Sequence, residues 1–323
     1  MKLNKLFWGL MVMALPLSFA ACSSSDDENG EVDDTPYQFR ELANQDVAGK
    51  YQSNKKGQTL AEEENSRVEE VEIIDNSILI TRRFRKSTAQ VKGVTRGEAD
   101  EEVEYIAGTF TKNGDVYNII VNKKNWGTIK IVKQGGGYSL TVTPVGEEPE
   151  TVEASKSTES VNAKYNLTQR IKGTWYPYMT TINLQKQGSN SIVTDELPRI
   201  DFEAVKQRAK KEGCNISDDF GVGYAVSWVS FTPEGTFTIT FDNGKKYIGD
   251  WEWVNANGGM KYDWREEGMG CEYENGQAHV DIYETGPYKG EFWLRLSNVV
   301  EQNDGTKWDV QVIFRMTDHW VNL

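Results

Sequence analysis

The chain has 323 residues, with 36 basic against 49 acidic side chains, a formal net charge of −13 and 38% hydrophobic residues. That surplus of acid opposes electrostatic capture of nucleic acid or of an anionic membrane surface. The length suits two domains.

Residues 1–21 read as a cleavable export signal. Lys2 and Lys5 form a charged start, Leu6 to Ala20 is an apolar run too short and interrupted to span a bilayer, and the small residues Ala20 and Ala21 precede Cys22. A cysteine at that cut position resembles the signal of a bacterial lipoprotein, although Phe19 stands where leucine is usual. The resemblance implies lipidation of Cys22, whose acyl chains, such as palmitate, would hold the protein to a lipid bilayer. No other run approaches the roughly 20 apolar residues of a membrane helix. Ser23-Ser24-Ser25-Asp26-Asp27-Glu28 resembles the export tag of surface lipoproteins in some Gram-negative bacteria. It implies an outer-membrane, surface-exposed address. The same run also has the composition of a plain solvated tether. Residues 22–36 are read as an acidic, flexible tether.

Residues 37–145 form a first domain of short alternating runs. Val47 to Tyr51 is the first strand. Glu69 to Ile74 and Ile78 to Phe84 make a hairpin around Asp75-Asn76, and Ser87 to Asp100 is a polar loop. Strands follow at Val103–Phe110, Val116–Val121, Thr128–Lys133 and Tyr138–Thr143. Gly135-Gly136-Gly137 lies between two of them with no helix behind it, which makes it a hairpin turn rather than a phosphate cradle. Residues 146–164, with almost no apolar content, read as a linker.

Residues 165–323 restart the pattern. Ile171 to Tyr176 echoes Val47 to Tyr51, and Phe231-Thr232-Pro233-Glu234-Gly235 echoes Phe110-Thr111-Lys112-Asn113-Gly114 at nearly the same offset. The two echoes suggest a duplicated domain. Asp201 can cap a helix with Phe202, Val205 and Ala209 on one side and Gly213 as its stop. Cys214 follows. In an oxidising compartment Cys214 and Cys271 make a candidate disulfide, which would add about 4 kcal/mol in the chain-entropy model. The alternative is two buried thiols.

Val226 to Trp253 is a meander with turns at Pro233-Glu234-Gly235 and Asp242-Asn243-Gly244. Phe237, Ile239 and Phe241 point one way, and Thr236, Thr238 and Thr240 point the other way, toward water. The last strands are Gln277–Tyr283, Glu291–Val299 and Lys307–Met316. Phe292, Leu294 and Leu296 share one face while Trp293 and Arg295 face away. Strands with one oily face hide it best by closing on themselves, which also removes exposed edges. The fold expected is all-β: two antiparallel up-and-down barrels in tandem, the second with one inserted helix. A sandwich is the alternative.

Gly173-Thr174-Trp175, Phe231-Thr232-x-x-Gly235-Thr236-Phe237 and Gly249-Asp250-Trp251 resemble the lipocalin-like domain of bacterial lipoproteins. The resemblance covers 165–323 better than 37–145, where Tyr51 stands in the place of Trp175. It implies a calycin-like barrel whose mouth holds a small apolar ligand. Trp175, Phe237, Phe241, Tyr247, Trp251, Trp253 and Trp308 are the candidate ligand-binding residues, and a packed core is the competing reading of the same aromatics. Trp264, Trp293 and Trp320 fall on polar faces or in loops and are candidates for surface contact, for example with a glycan.

Nothing in the chain marks chemistry. His279 and His319 lack zinc spacing, no G-x-S-x-G elbow is present, and carboxylates are too abundant to single out a pair. Neither catalytic residues, nor a metal site, nor a cofactor is expected. The function expected is a surface-anchored lipoprotein binding a small apolar or amphipathic ligand in its second barrel. The alternatives are a structural or interaction lipoprotein of the envelope, or a glycan-binding one.

Overall fold

The computed structural model describes residues 35–61, 64–85, 101–157, 167–199, 201–216, 224–266 and 272–321. Cys22, the tether up to residue 34, the loop expected at 87–100 and Cys271 lie outside them.

The first barrel runs through β1 (Gly49–Ser53), β2 (Ser66–Ile74), β3 (Ser77–Arg85), β4 (Glu101–Asn113), β5 (Val116–Val121), β6 (Lys124–Gln134), β7 (Gly137–Pro144) and β8 (Glu150–Lys156). Each strand pairs antiparallel with the next, and β8 returns to β1 through Tyr51 opposite Lys156. Its core is aliphatic, with Val68, Val71, Ile73, Ile80, Ile119, Ile129 and Leu140 buried around Tyr51 and Tyr117. The closing strand corrects the expected linker. Thr151, Glu153 and Ser155 give it a polar outer face, so β8 shows little apolar signal, yet Ala154 faces the core and Leu140 pairs with Val152.

The second barrel begins with α1 (Leu167–Ile171) and β9 (Gly173–Lys186). It continues through β10 (Ile192–Pro198), α2 (Phe202–Lys211), β11 (Val226–Phe231), β12 (Thr236–Phe241), β13 (Lys246–Trp253), β14 (Gly259–Glu266), β15 (Glu272–Tyr283), β16 (Glu291–Glu301) and β17 (Lys307–Thr317). Eight strands close through β17 on β9, paired from Trp308 opposite Lys186 to Thr317 opposite Tyr176 with one register shift between Arg315 and Met316. β11 pairs with only the first three residues of β9, and β10 takes over further along, from Met179 to Gln185. The gap between them is filled by α2. Asp201 caps it by accepting from the Ala204 N–H at 3.0 Å, and Phe202, Val205 and Ala209 enter the barrel core.

The first of the two sequence echoes has one geometry in both barrels. Gly49 (φ +138°) and Gly173 (φ +121°) occupy backbone that side chains avoid. Two residues on, Tyr51 Oη donates to the Val47 carbonyl at 2.8 Å and Trp175 Nε1 donates to the Ile171 carbonyl at 2.7 Å. The second echo falls on unlike strands, since Phe231 lies beside β9 while Phe110 lies three strands from β1. A Cβ on Gly173 would also meet the Leu42 side chain at 2.6 Å. Gly173→Ala is therefore expected to cost about 1–3 kcal/mol in denaturant unfolding. At Gly188, which shares a positive φ (+84°) but has open space around it, alanine is expected to cost about 1 kcal/mol, from the backbone alone.

Residues 37–45, expected within the first domain, form a strap on the second barrel. Tyr37 N–H donates to the Glu284 carbonyl at 2.6 Å, Arg40 N–H donates to Asp318 Oδ2 at 2.6 Å, and Phe39 packs on the second core.

Candidate functional site

Six of the seven aromatics expected to line a ligand cavity are fully buried and pack ring against ring. Trp175 and Phe292 centroids are 4.8 Å apart, Phe231 and Trp251 5.8 Å, Trp251 and Trp253 5.2 Å, and Phe241 and Tyr247 4.9 Å. Phe237 sits beside Phe231 at 6.2 Å. The Trp253 indole donates to the Thr168 hydroxyl at 2.8 Å, so α1 stoppers one side of this cluster and α2 enters it from another. Trp308 is half-buried at the edge of the core. These residues are the core of the second barrel, and of the seven only Trp175 borders either of two hollows among the described residues.

One of those hollows is a cleft of about 290 Å³ at the barrel mouth, between the strap and α1. Phe39, Leu42 and Trp175 give it an apolar floor, and Arg40, Arg170 and Lys172 stand around it. Two of these cations are already paired. Arg40 forks onto Asp75, with Nη1 2.9 Å from Oδ1, and Arg170 pairs with Glu284.

The other aromatic concentration lies on the outer surface. Trp293 alternates with core residues Phe292 and Leu294, so it points away from the lumen, directly across from Arg315 on β17 and Asp281 on β15. Its ring lies 4.6 Å from Tyr288 and 4.7 Å from Tyr283. The Arg315 guanidinium sits 5.1 Å from Trp293 and 5.0 Å from Tyr288, within cation–π range. Glu291 fixes the group by accepting from Trp293 Nε1 at 2.6 Å and from Arg315 Nε at 2.9 Å. Arg295 is held by Asp281 at 2.6 Å. Burial and the bond to Glu291 both push the Tyr178 phenol upward, so it stays a neutral donor. Burial works against the charge of Arg315, but Glu291 outweighs it and the guanidinium is held cationic. Tyr288 remains 38% exposed at the rim.

Of the surface candidates, Trp293 is the hub of this patch and Trp320 is exposed beside Tyr176, ring to ring at 5.9 Å. Trp264 is corrected. It stacks on Tyr247 at 4.2 Å and packs against the core, because β14 alternates Met260, Tyr262 and Trp264 inward with charged residues outward. Tyr178, Tyr283, Tyr288 and Arg315 were missed by sequence reasoning. The signal was available in the alternation of Arg315 with Phe314 and Met316.

Of the expected Cys214–Cys271 pair, Cys271 lies outside the described residues. Cys214 is a free thiol packed beneath the end of α2, and burial pushes its pKa up to about 11, which keeps it protonated and inert. No family model and no curated protein matches the chain.

Proposed function

We propose that this protein is a non-catalytic, lipid-anchored surface lipoprotein whose second barrel presents an outward aromatic face to a glycan. The anchor rests on Lys2, Lys5, the apolar run to Ala20 and Cys22 in the sequence. The glycan reading rests on one observation, the Trp293 cluster. Three aromatic rings at centroid spacings of 4.6–5.6 Å sit on the outside of a closed barrel, framed by guanidinium and carboxylate groups. Pyranose rings offer C–H faces that stack on such rings, and their hydroxyls bond to the framing charges. Arg295 and Arg315 are balanced by Asp281, Glu291 and Glu196, which favours a neutral glycan over an acidic one.

A glycan array probed with the full chain tests this. Binding to neutral glycans is expected, weakened at least about tenfold, ~1.4 kcal/mol, by Trp293→Ala with the circular dichroism spectrum unchanged. Silence of the wild-type protein across the array would sink the reading.

A second reading keeps the small amphipathic ligand but places it in the mouth cleft over Trp175, where an apolar floor lies beside Lys172. Quenching of tryptophan fluorescence by an anionic amphiphile in wild type but not in Lys172→Glu would favour it.

A further inference from the structure

The two barrels meet through a pair of reciprocal contacts. Lys50, the residue after Gly49 in β1, reaches Thr236 at the start of β12, with Nζ 3.5 Å from Oγ1. Thr174, the residue after Gly173 in β9, reaches Ser77 at the start of β3, oxygen to oxygen 2.9 Å. The β2–β3 hairpin of one barrel thereby lies against the β11–β12 hairpin of the other. This is why Thr236, Thr238 and Thr240, expected to face water, are buried instead. Leu79, Ala107 and Ile248 add a small apolar cluster to the seam.

Glu72 is enclosed within that seam. Its side chain is 1% exposed, and neither carboxylate oxygen has a hydrogen-bond partner among the described residues. It borders a void of about 10 Å³, shared with Ser230, Thr232, Thr236 and Thr238 of the second barrel, which is at most one water in size. The nearest cation, Lys50, is 4.0 Å away and engages Glu70 more closely, at 2.9 Å. Lys56 is also taken by Glu70. From the second barrel, the β11–β12 turn brings up Glu234, whose Oε2 is likewise buried without a partner, and β13 brings Asp250 toward Lys50. Lys156 and Lys172 act on Glu234. The carboxylates Glu70, Glu72, Glu234 and Asp250 thus converge on a seam in which, among the described residues, Lys50 is the cation paired with Glu72. An ionised carboxylate sealed away without hydrogen bonds is strongly disfavoured, and a protonated one needs no counter-charge.

We propose that the seam between the barrels is a proton-operated latch, closed while Glu72 is protonated and loosened when Glu72 ionises. Burial, helped by the charges of Glu70 and Glu234 and against the weaker pulls of Lys50 and the Thr232 hydroxyl, lifts this carboxyl from its ordinary 4.5 to about 7. A folded-state pKa raised in this way gives a contribution fully present below 4.5 and lost as the pH climbs through 7. The latch is therefore tight in mild acid and slack on the alkaline side of neutrality, and the group that moves is a single solvent proton.

Hydrogen–deuterium exchange on the full chain tests this. Amides of β2–β3 and β11–β12, corrected for intrinsic rates, are expected to lose protection by roughly tenfold or more between pH 5 and pH 8, while the strands remote from the seam do not. Glu72→Gln, neutral at every pH, is expected to hold the seam protected throughout. Glu234→Gln, which removes one of the carboxylates that raise Glu72, is expected to keep the loss of protection but move it to lower pH, and a carbon-13 titration of Glu72 to place its midpoint near neutrality. PH-independent protection in wild type, an unchanged profile in Glu72→Gln, or a Glu72 midpoint in the ordinary carboxylate range each overturns the proposal.

Discussion

Replacing Arg40 with alanine is expected to lower the unfolding free energy by about 3 kcal/mol, the lower end of the range for breaking a buried ion pair. The reason is what this side chain joins. Its guanidinium forks onto Asp75 in the β2–β3 turn of the first barrel, donates through Nε to the Asp318 carbonyl at 2.5 Å, and reaches the Thr174 carbonyl of β9. Asp75 is 2% exposed, so removing the cation strands a buried carboxylate whose remaining support is the Ala43 N–H at 2.9 Å and local polar contacts. The guanidinium itself is 31% exposed, which screens the pair and argues against the top of the range. Arg40→Lys keeps the charge but loses the two-pronged geometry, and is expected to recover less than half of the loss. Chemical denaturation measures both. An alanine variant within ~0.5 kcal/mol of wild type would show that the strap does not join the barrels energetically.

The second large effect is expected at Trp175. Trp175→Ala is expected to cost about 3–5 kcal/mol, since the ring contacts Phe39 of the strap at 5.6 Å and Phe292 of β16 at 4.8 Å. Trp175→Phe separates packing from polarity. It keeps most of the volume but leaves the Ile171 carbonyl without its 2.7 Å donor, which should cost ~1–2 kcal/mol. Equal losses for the two variants would mean that the hydrogen bond, rather than the ring, carries the effect. The corresponding replacement in the first barrel, Tyr51→Phe, removes the bond to Val47 and offers an internal comparison.

The barrels were legible where alternation was clean. β5 at Val116–Val121, the β11–β13 meander and β17 follow directly from the sequence pattern, and α2 follows from Asp201, Phe202, Val205 and Ala209. β8 and β10 were not legible, because short strands rich in Glu and Thr give no apolar period when one face meets water and the other touches only a few core residues. The burial of the β12 threonines could not be read either. A hydroxyl face suits both water and a polar seam, and only the partner surface decides. The lumen candidates were correctly grouped, since Trp175, Phe237 and Trp251 do converge, but convergence alone does not separate a filled interior from a hollow one. The outer patch was half legible. The outward direction of Trp293 followed from β16, whereas its meeting with Tyr288 and Arg315 depends on which strands become neighbours.

The strap also orders events in time. Residues 37–45 leave the ribosome ahead of everything they bind, and their docking partners Glu284 and Asp318 lie more than 240 positions later in the chain. Contacts of such long sequence separation form late. The segment is therefore a newborn clasp that can catch only the Asp75 turn of the first barrel until β17 has paired with β9, and a chain stalled short of that strand would carry a half-engaged Arg40 and an exposed Phe39 as marks of unfinished assembly.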